Sequence, residues 1–252
     1  MTQPSYLETP QGRRIAYHLT AGQGPAVVFL GGFRSDMEGT KALHLETWAR
    51  ARGQSFLRLD YSGHGQSSGE FLDGCIGDWT DDAFAVISTL IDGAVVLVGS
   101  SMGGWISLSL TRRFPDKIRG IVGIASAPDF TEDSMWAGFS DAQRAELAQF
   151  GQIALPSDYS DEPYIITQKL IEDGRKNLVL RDPLPLPFPV RFLQGTADED
   201  VELATALRLL NHATGEDIRL TLVKDADHRF STPQCLALIE AGVAEILALQ
   251  KD

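Results

Sequence analysis

The chain has 252 residues, 43% of them hydrophobic and 22% charged, with a net charge of −12. This is a globular composition, and a single domain of this length buries roughly 70–75% of its unfolded surface, so no disulfide or metal is required to hold a core. The acidity argues against nucleic acid or an anionic membrane as partner, because both need a basic face. Two cysteines, Cys75 and Cys235, are too few for a disulfide scaffold and lack metal-site spacing. They point to a reducing, cytoplasmic setting. No segment reaches the roughly 18 apolar residues of a membrane span, and Met1–Tyr17 contains no apolar run of signal-peptide length.

Two short alternating segments, Ser5–Thr9 and Arg13–Leu19, flank Pro10-Gln11-Gly12 and predict a β-hairpin. Continuous apolar runs follow, of the kind found in strands buried on both faces. These are Ala26–Leu30, Ser55–Leu59, Val95–Val98, Ile121–Ala125, Val190–Leu193 and Ile218–Val223. Helical periodicity fits Lys41–Arg52, Asp78–Ile91, Met102–Phe114, Val201–His212 and Pro233–Leu249 between or after them. The alternation predicts an α/β fold: a mostly parallel sheet with helices on both faces.

The interval between Ala127 and Val190 has no strand pattern. Ser140-Asp141-Ala142-Gln143 is a capping box leading into a helix near Asp141–Phe150, and Pro163–Asp173 reads as a second helix stopped by Gly174. Four alternating prolines at 183, 185, 187 and 189 make a stiff extended connector. A long excursion over the carboxyl edge of a parallel sheet is commonly functional. Residues 129–185 are therefore expected to form a helical cap on a core of residues 1–128 and 186–252.

The strand Val95–Val98 enters Gly99-Ser100-Ser101-Met102-Gly103, a G-x-S-x-G pattern in strand–turn–helix context. Ser101 sits on the turn, and Cβ atoms at positions 99 and 103 would collide with neighbouring backbone. A serine hydroxyl needs a base to act as a nucleophile. His228 follows the last strand and fits the chain order Ser…Asp…His, with His64 as its rival. His18, His44 and His212 belong to the hairpin, the first helix and a helix end. Asp198, on the loop after Val190–Leu193, fits the acid that orients the imidazole; Asp129 and the helix-capping Asp200 are alternatives. The backbone N–H of Met102 and that of Phe33, after Gly31-Gly32, fit an oxyanion hole. Trp105, Trp136, Phe139 and Phe150 are candidate pocket walls. Arg34 either meets a substrate carboxylate or pairs with Asp36 or Glu38.

Together these segments resemble the α/β-hydrolase superfamily over essentially the whole chain. The resemblance is carried by Phe29-Leu30-Gly31-Gly32-Phe33, Asp60-Tyr61-Ser62-Gly63-His64-Gly65-Gln66-Ser67, Gly99-Ser100-Ser101-Met102-Gly103-Gly104-Trp105, Gly195-Thr196-Ala197-Asp198 and Asp227-His228-Arg229. Within it, Leu59–Gly63, Val98–Trp105 and Leu155-Pro156-Ser157-Asp158-Tyr159-Ser160 are similar to the branch of mitochondrial acyl-protein thioesterases and acyl-glucuronide esterases. The resemblance implies a serine hydrolase of acyl esters or thioesters on a small-molecule or acylated substrate. Ser101 would be nucleophile, His228 base and Asp198 acid, with an acyl-enzyme intermediate and no metal or organic cofactor. Peptide or C–C bond hydrolysis on the same scaffold, or a non-catalytic binding protein, are the competing expectations. Gly31-Gly32 replaces the His-Gly that many members carry before the oxyanion residue.

Charge is unevenly spread. Residues 129–162 hold eight acidic side chains and one basic one. If that segment rims the site, it repels anionic substrates and favours neutral or cationic ones.

Overall fold

The computed structural model describes residues 3–155 and 163–250. In chain order, β1 (Ser5–Glu8), β2 (Arg14–Thr20) and β3 (Gln23–Leu30) lead to α1 (Thr40–Ala51) and β4 (Gln54–Leu59). A 3-10 turn at Phe71–Asp73 precedes α2 (Ile76–Leu90), β5 (Val95–Ser100), α3 (Met102–Thr111) and β6 (Ile118–Ile124). A π-helical turn at Thr131–Trp136 is followed by α4 (Asp141–Phe150), β7 (Gln152–Leu155), β8 (Tyr164–Thr167) and α5 (Gln168–Lys176). The chain closes with β9 (Leu184–Pro185), β10 (Val190–Gly195), α6 (Leu203–His212), β11 (Ala213–Thr214), β12 (Ile218–Val223) and α7 (Pro233–Ala248).

Eight strands form one sheet in the order β1-β2-β4-β3-β5-β6-β10-β12. β1 and β2 pair antiparallel and β2 meets β4 antiparallel; from β4 to β12 every pairing is parallel. The strand alternation divides the core into two layers. Val27, Phe29, Val96, Val98, Val122 and Ile124 pack against α1 and α7, while Val28, Leu30, Leu97 and Ile121 face the α2 and α3 side. Near-continuous apolar strands arise because both sheet faces are covered, which leaves no polar side to alternate with.

The interval after β6 departs from expectation. Ser140 does cap α4 through a reciprocal capping box with Gln143, but residues expected to be all helical include an antiparallel hairpin of β7 and β8. The helix expected over Pro163–Asp173 begins only at Gln168, capped by the Thr167 side chain. Tyr164-Ile165-Ile166-Thr167 is aromatic and β-branched, so its intrinsic preference is extended, and pairing with β7 satisfies its backbone. The segment Pro156-Ser157-Asp158-Tyr159-Ser160 lies outside the described residues. Leu184–Pro185 is extended, as its prolines dictate, and pairs with β11.

Candidate active site

The carboxyl ends of the parallel strands bring Ser101, His228, Asp198 and the Gly31–Arg34 loop together. Ser101 follows β5 and caps α3 with φ 54° and ψ −117°. A non-glycine residue in this region stores about 1–3 kcal/mol of strain. Its surroundings force the turn: a Cβ on Gly99 would lie 2.3 Å from Gly103 O, and one on Gly103 would lie 2.0 Å from Leu30 O. The Ser101 amide donates to Ile124 O at 2.9 Å, and its carbonyl accepts from Gly104 and Ala127. The turn is thereby tied to β6 and to its own helix.

His228 Nε2 lies 3.1 Å from Ser101 Oγ, and its Nδ1 lies 3.0 Å from both carboxylate oxygens of Asp198. The Asp198 side chain is fully buried. It also accepts from the amides of Asp200 (3.0 Å) and Val201 (2.8 Å) and from Gln194 Nε2 (2.8 Å). Burial by itself would raise the Asp198 carboxyl; the hydrogen bonds from His228, Val201 and Gln194 outweigh it and hold the group below the usual carboxylate range.

The rival groups are occupied elsewhere. Asp129 accepts from the amides of Val179 (2.8 Å) and Leu180 (3.0 Å) and pairs with Arg181, so it anchors the chain leading out of α5. Asp200 does not cap α6, whose N-cap is Glu202. His64 is buried among the rings of Tyr61, Phe71 and Trp79, where its Nδ1 donates to Ser62 O; burial pushes its pKa down to about 4. His44 bonds Glu240 and His212 bonds Asp182 O. The Asp60–Ser67 motif is a brace. Asp60 accepts from Met37 N at 2.6 Å and Gln66 N at 2.8 Å, which fixes the far end of the loop carrying Phe33. Burial raises this carboxyl to about 6 against those two bonds.

The Gly31–Arg34 loop lies against the serine: a Cβ on Gly32 would come within 3.3 Å of Ser101 Cβ. The Met102 N–H belongs to the unfilled first turn of α3. Among the described residues the Phe33 N–H has no acceptor. Both amides therefore flank the hydroxyl as available donors.

A cavity of about 510 Å³ opens at this point. Phe33, Phe130, Met135, Leu155, Tyr164 and Ile166 supply its apolar wall; Arg34, Lys41, Arg229 and Asp200 are its charged lining. Arg34 forms no pair with Asp36 or Glu38. Its guanidinium lies over the rings of Phe71 (5.2 Å) and Tyr164 (5.1 Å). Four expected wall residues are displaced, Phe150 among them as an exposed residue of α4. Trp105 is fully buried and donates Nε1–H to Asn177 O at 2.9 Å, because α3 is enclosed on nearly all sides. It touches the cavity only by backing Phe130, with ring centres 5.5 Å apart. Trp136 is covered by Arg144 and Arg175, and Phe139 is a core residue packed edge-on to Trp136. The described lining carries three cations and one carboxylate; Asp158, Asp161 and Glu162 of the expected acidic rim lie outside the described residues.

Sequence reasoning missed Lys41, Phe130, Met135, Tyr164 and Ile166. The alternation of Tyr164 and Ile166 carried a usable signal, since both fall on one face of a strand. Phe130 and Met135 carried none, because a π-helical turn follows neither standard period. One group of ligand-type side chains among the described residues could gather about an ion: Asp198, Asp200 and His228, within 4.8 Å of one another. Asp198 and His228 are already bonded to each other.

With this fold and this constellation, the chain belongs to the alpha/beta hydrolase family, whose sequence pattern matches residues 27–243, and it is a hydrolase. The rat mitochondrial palmitoyl-protein thioesterase ABHD10 (Rattus norvegicus) is 31% identical over 247 residues, covering 98% of this chain and 83% of that protein. A putative hydrolase from Agrobacterium vitis S4 superposes with a TM-score of 0.94 at 42% identity, over 97% of this chain and 98% of its own. Mouse alpha/beta hydrolase domain-containing protein 10 superposes with a TM-score of 0.91 at 29% identity, over 98% of this chain and 99% of its own. The expectation of a cytoplasmic setting is corrected by these matches, because the ABHD10 relatives are named as mitochondrial. A low cysteine count fits any reducing compartment and does not single out the cytosol.

Proposed function

We propose that this chain hydrolyses acyl thioesters and carboxylic esters through an acyl-enzyme on Ser101. The observation that carries the reading is the hydrogen-bonded run from Ser101 Oγ through His228 to Asp198, at 3.1 and 3.0 Å, opening on an apolar cavity. His228 Nε2 takes the Ser101 proton as Oγ attacks the acyl carbon. The carbonyl oxygen becomes an oxyanion held by the Phe33 and Met102 amides. The imidazolium, stabilised by Asp198, gives its proton to the departing thiol or alcohol as the bond to the acyl carbon breaks. Water then attacks the acyl-enzyme, losing its proton to His228, and Ser101 is restored as the carboxylic acid leaves.

A thioesterase reading draws support from the named activity of the ABHD10 relatives. An acyl-chain placement among Phe130, Met135, Leu155, Tyr164 and Ile166 draws support from their apolar character. Residues 129–185 act in this reading as a cap, contributing most of that wall from outside the sheet.

The test is a panel of ester, thioester and peptide substrates of graded acyl length, with fluorophosphonate labelling of the same samples. Ester and thioester turnover with a labelled wild type, and an inert, unlabelled Ser101→Ala, is the expected outcome. His228→Ala should be equally inactive while remaining folded. Turnover restricted to amides, or equal labelling of Ser101→Ala, overturns the reading.

A further inference from the structure

Lys41 is a residue that helix energetics would not select. It lies in the first turn of α1, the positive end of the helix dipole, and that turn has no acidic residue to offset it. Its stem is half-buried at the cavity wall, and desolvation there lowers the ammonium to about 8. A half-buried lysine at the wrong end of a helix is favoured by a compensating partner. That partner is the carbonyl of Arg229, to which Lys41 Nζ donates a short hydrogen bond across 188 positions of sequence.

Arg229 immediately follows His228, in a loop whose backbone is strained on both sides of the histidine. Asp225 has φ 60° and Phe230 has φ 49°. The upstream half is tied down by Asp225 N on Thr196 Oγ1 (2.9 Å) and by Ala226 O accepting from Ala197 N (3.0 Å). Downstream, Phe230 is fully buried and its amide bonds Asp227. The Arg229 carbonyl lies between these anchors, where Lys41 and the Ser231 hydroxyl (2.8 Å) hold it. One turn further along α1, His44 Nε2 bonds Glu240 of α7 at 2.6 Å, so the same helix face grips both the loop and the helix after it.

The geometry points to Lys41 as a positioning residue that fixes the His228 loop from α1 and so sets the imidazole against Ser101. This rests on the reading of His228 as general base. The charged form of Lys41 makes the stronger, charge-assisted bond; the neutral amine keeps only a weaker one. The groups acting on its ammonium are Asp227, which favours the charge, Arg229, which opposes it, and Cys235; Asp200 and His228 line the same cavity. Deprotonation of Lys41 therefore loosens the loop as pH rises through about 8.

The experiment compares Lys41→Met, which keeps the stem, and Lys41→Arg, which keeps donor and charge. Each is assayed for kcat and KM against pH on a neutral acyl ester. The wild type should show an alkaline fall in kcat with apparent pKa near 8. In Lys41→Met, kcat should drop about 10- to 100-fold, the scale of a small misplacement of a catalytic group, with KM hardly changed and that limb gone. Lys41→Arg should restore kcat and move the limb out of range. Unchanged kcat in Lys41→Met, or a rise in KM alone, overturns the proposal; the latter would make Lys41 a substrate contact. Should Lys41→Met fail to fold, the other two profiles decide, and a limb that stays near pH 8 in Lys41→Arg overturns it. His228→Ala separates the two levels: an active His228→Ala sinks the base assignment, whereas a dead one beside a normal Lys41→Met sinks only this inference.

Discussion

Replacing Asp198 with asparagine tests the orientation of the base with almost no change in shape. The Oδ1 of Asp198 accepts from the Asp200 and Val201 amides as well as from His228. Those two backbone donors cannot turn away, so the asparagine oxygen must stay there. Its NH2 then occupies the Oδ2 position, facing Gln194 Nε2 and His228 Nδ1. Against that NH2 the imidazole is favoured with Nδ1 as acceptor and its proton on Nε2. Nε2–H then points at Ser101 Oγ, 3.1 Å away, and cannot receive the hydroxyl proton. By analogy with serine proteases the loss in kcat is about 10⁴-fold, or roughly 5.4 kcal/mol at 1.36 kcal/mol per tenfold. Stability suffers far less. Gln194 can rotate its amide so that Oε1, buried without a partner, accepts from the new NH2. The rotation sacrifices its 3.1 Å bond to Val201 O. One such loss costs about 1–3 kcal/mol.

The sign of the pH dependence follows from the lowered Asp198 pKa. A depressed carboxylate stabilises the fold above its unfolded pKa, about 3.9, and that contribution disappears as pH falls through the folded value. Thermal melts of Asp198→Asn should therefore lose less stability than wild type on acidification below about pH 4. The assay is steady-state hydrolysis of one acyl ester and one acyl thioester at neutral pH, with melting temperature measured on the same preparations. Turnover within about tenfold of wild type in Asp198→Asn, together with an inactive Asp129→Asn, refutes the reasoning and transfers the acid role to the loop after β6.

Asp129→Asn should otherwise be a stability variant. It weakens the hold on the Val179 and Leu180 amides and the pair with Arg181, costing roughly 1–3 kcal/mol, with kcat of the same order; thermal denaturation against turnover checks this. An ester carrying a carboxylate should bind at least as well as its neutral isostere, because Arg34, Lys41 and Arg229 line the cavity against Asp200. Its KM should rise with ionic strength while that of the neutral ester does not; a persistently higher KM for the anion at low salt would restore the repulsive rim.

The centre of the sheet was legible because β3, β5, β6 and β10 are largely apolar on both faces, a pattern that survives without knowledge of their neighbours; β12, expected to be buried likewise, is an edge strand whose Arg219, Thr221 and Leu222 are exposed. Chain order and the crossing rules for parallel strands then confined the site to one edge. Ser101, Asp198 and His228 were legible for that reason: each follows a strand, and their order along the chain matches a known constellation. The cavity wall was not. Trp105 drew attention as an aromatic beside the serine, yet a helix enclosed by the sheet, α2 and the chain leaving α5 turns its large side chains into core. Tyr164 and Ile166 were hidden by the assumption that the excursion is all helical. Lys41 reaches its partner across the whole fold, a relation no local window contains. The acidic count of residues 129–162 was a poor guide for Asp129, Glu132 and Asp133 because summed charge ignores direction: Glu132 and Asp133 are engaged by Arg175, Arg181 and Arg208, and Asp129 is buried under Arg181.

The distribution of backbone strain explains why so many tethers gather at this edge. The described residues include six non-glycine positions with positive φ: Arg34, Ser101, Ala125, Asp129, Asp225 and Phe230. Every one lies beyond the carboxyl end of a strand, after β3, β5, β6 or β12, and each costs about 1–3 kcal/mol to hold. The sheet supplies much of the restraint by extending its hydrogen bonding past the strands. Ser101 N bonds Ile124 O of β6, Ala125 N bonds Leu193 O of β10, and Thr196 N bonds Val223 O of β12. The turns at Ser101 and Ala125 are thus held by the next strand in the sheet, and the loops carrying Ser101, Asp198 and His228 are linked through backbone bonds as well as through their side chains. Arg34 and the Arg229 carbonyl lie outside that ladder: Arg34 is held by aromatic rings, and the Arg229 carbonyl by Lys41 together with the Ser231 hydroxyl. Loss of the Arg34 and Lys41 ties should therefore disturb the geometry around Ser101 while leaving the sheet intact, whereas damage to the ladder should disturb both.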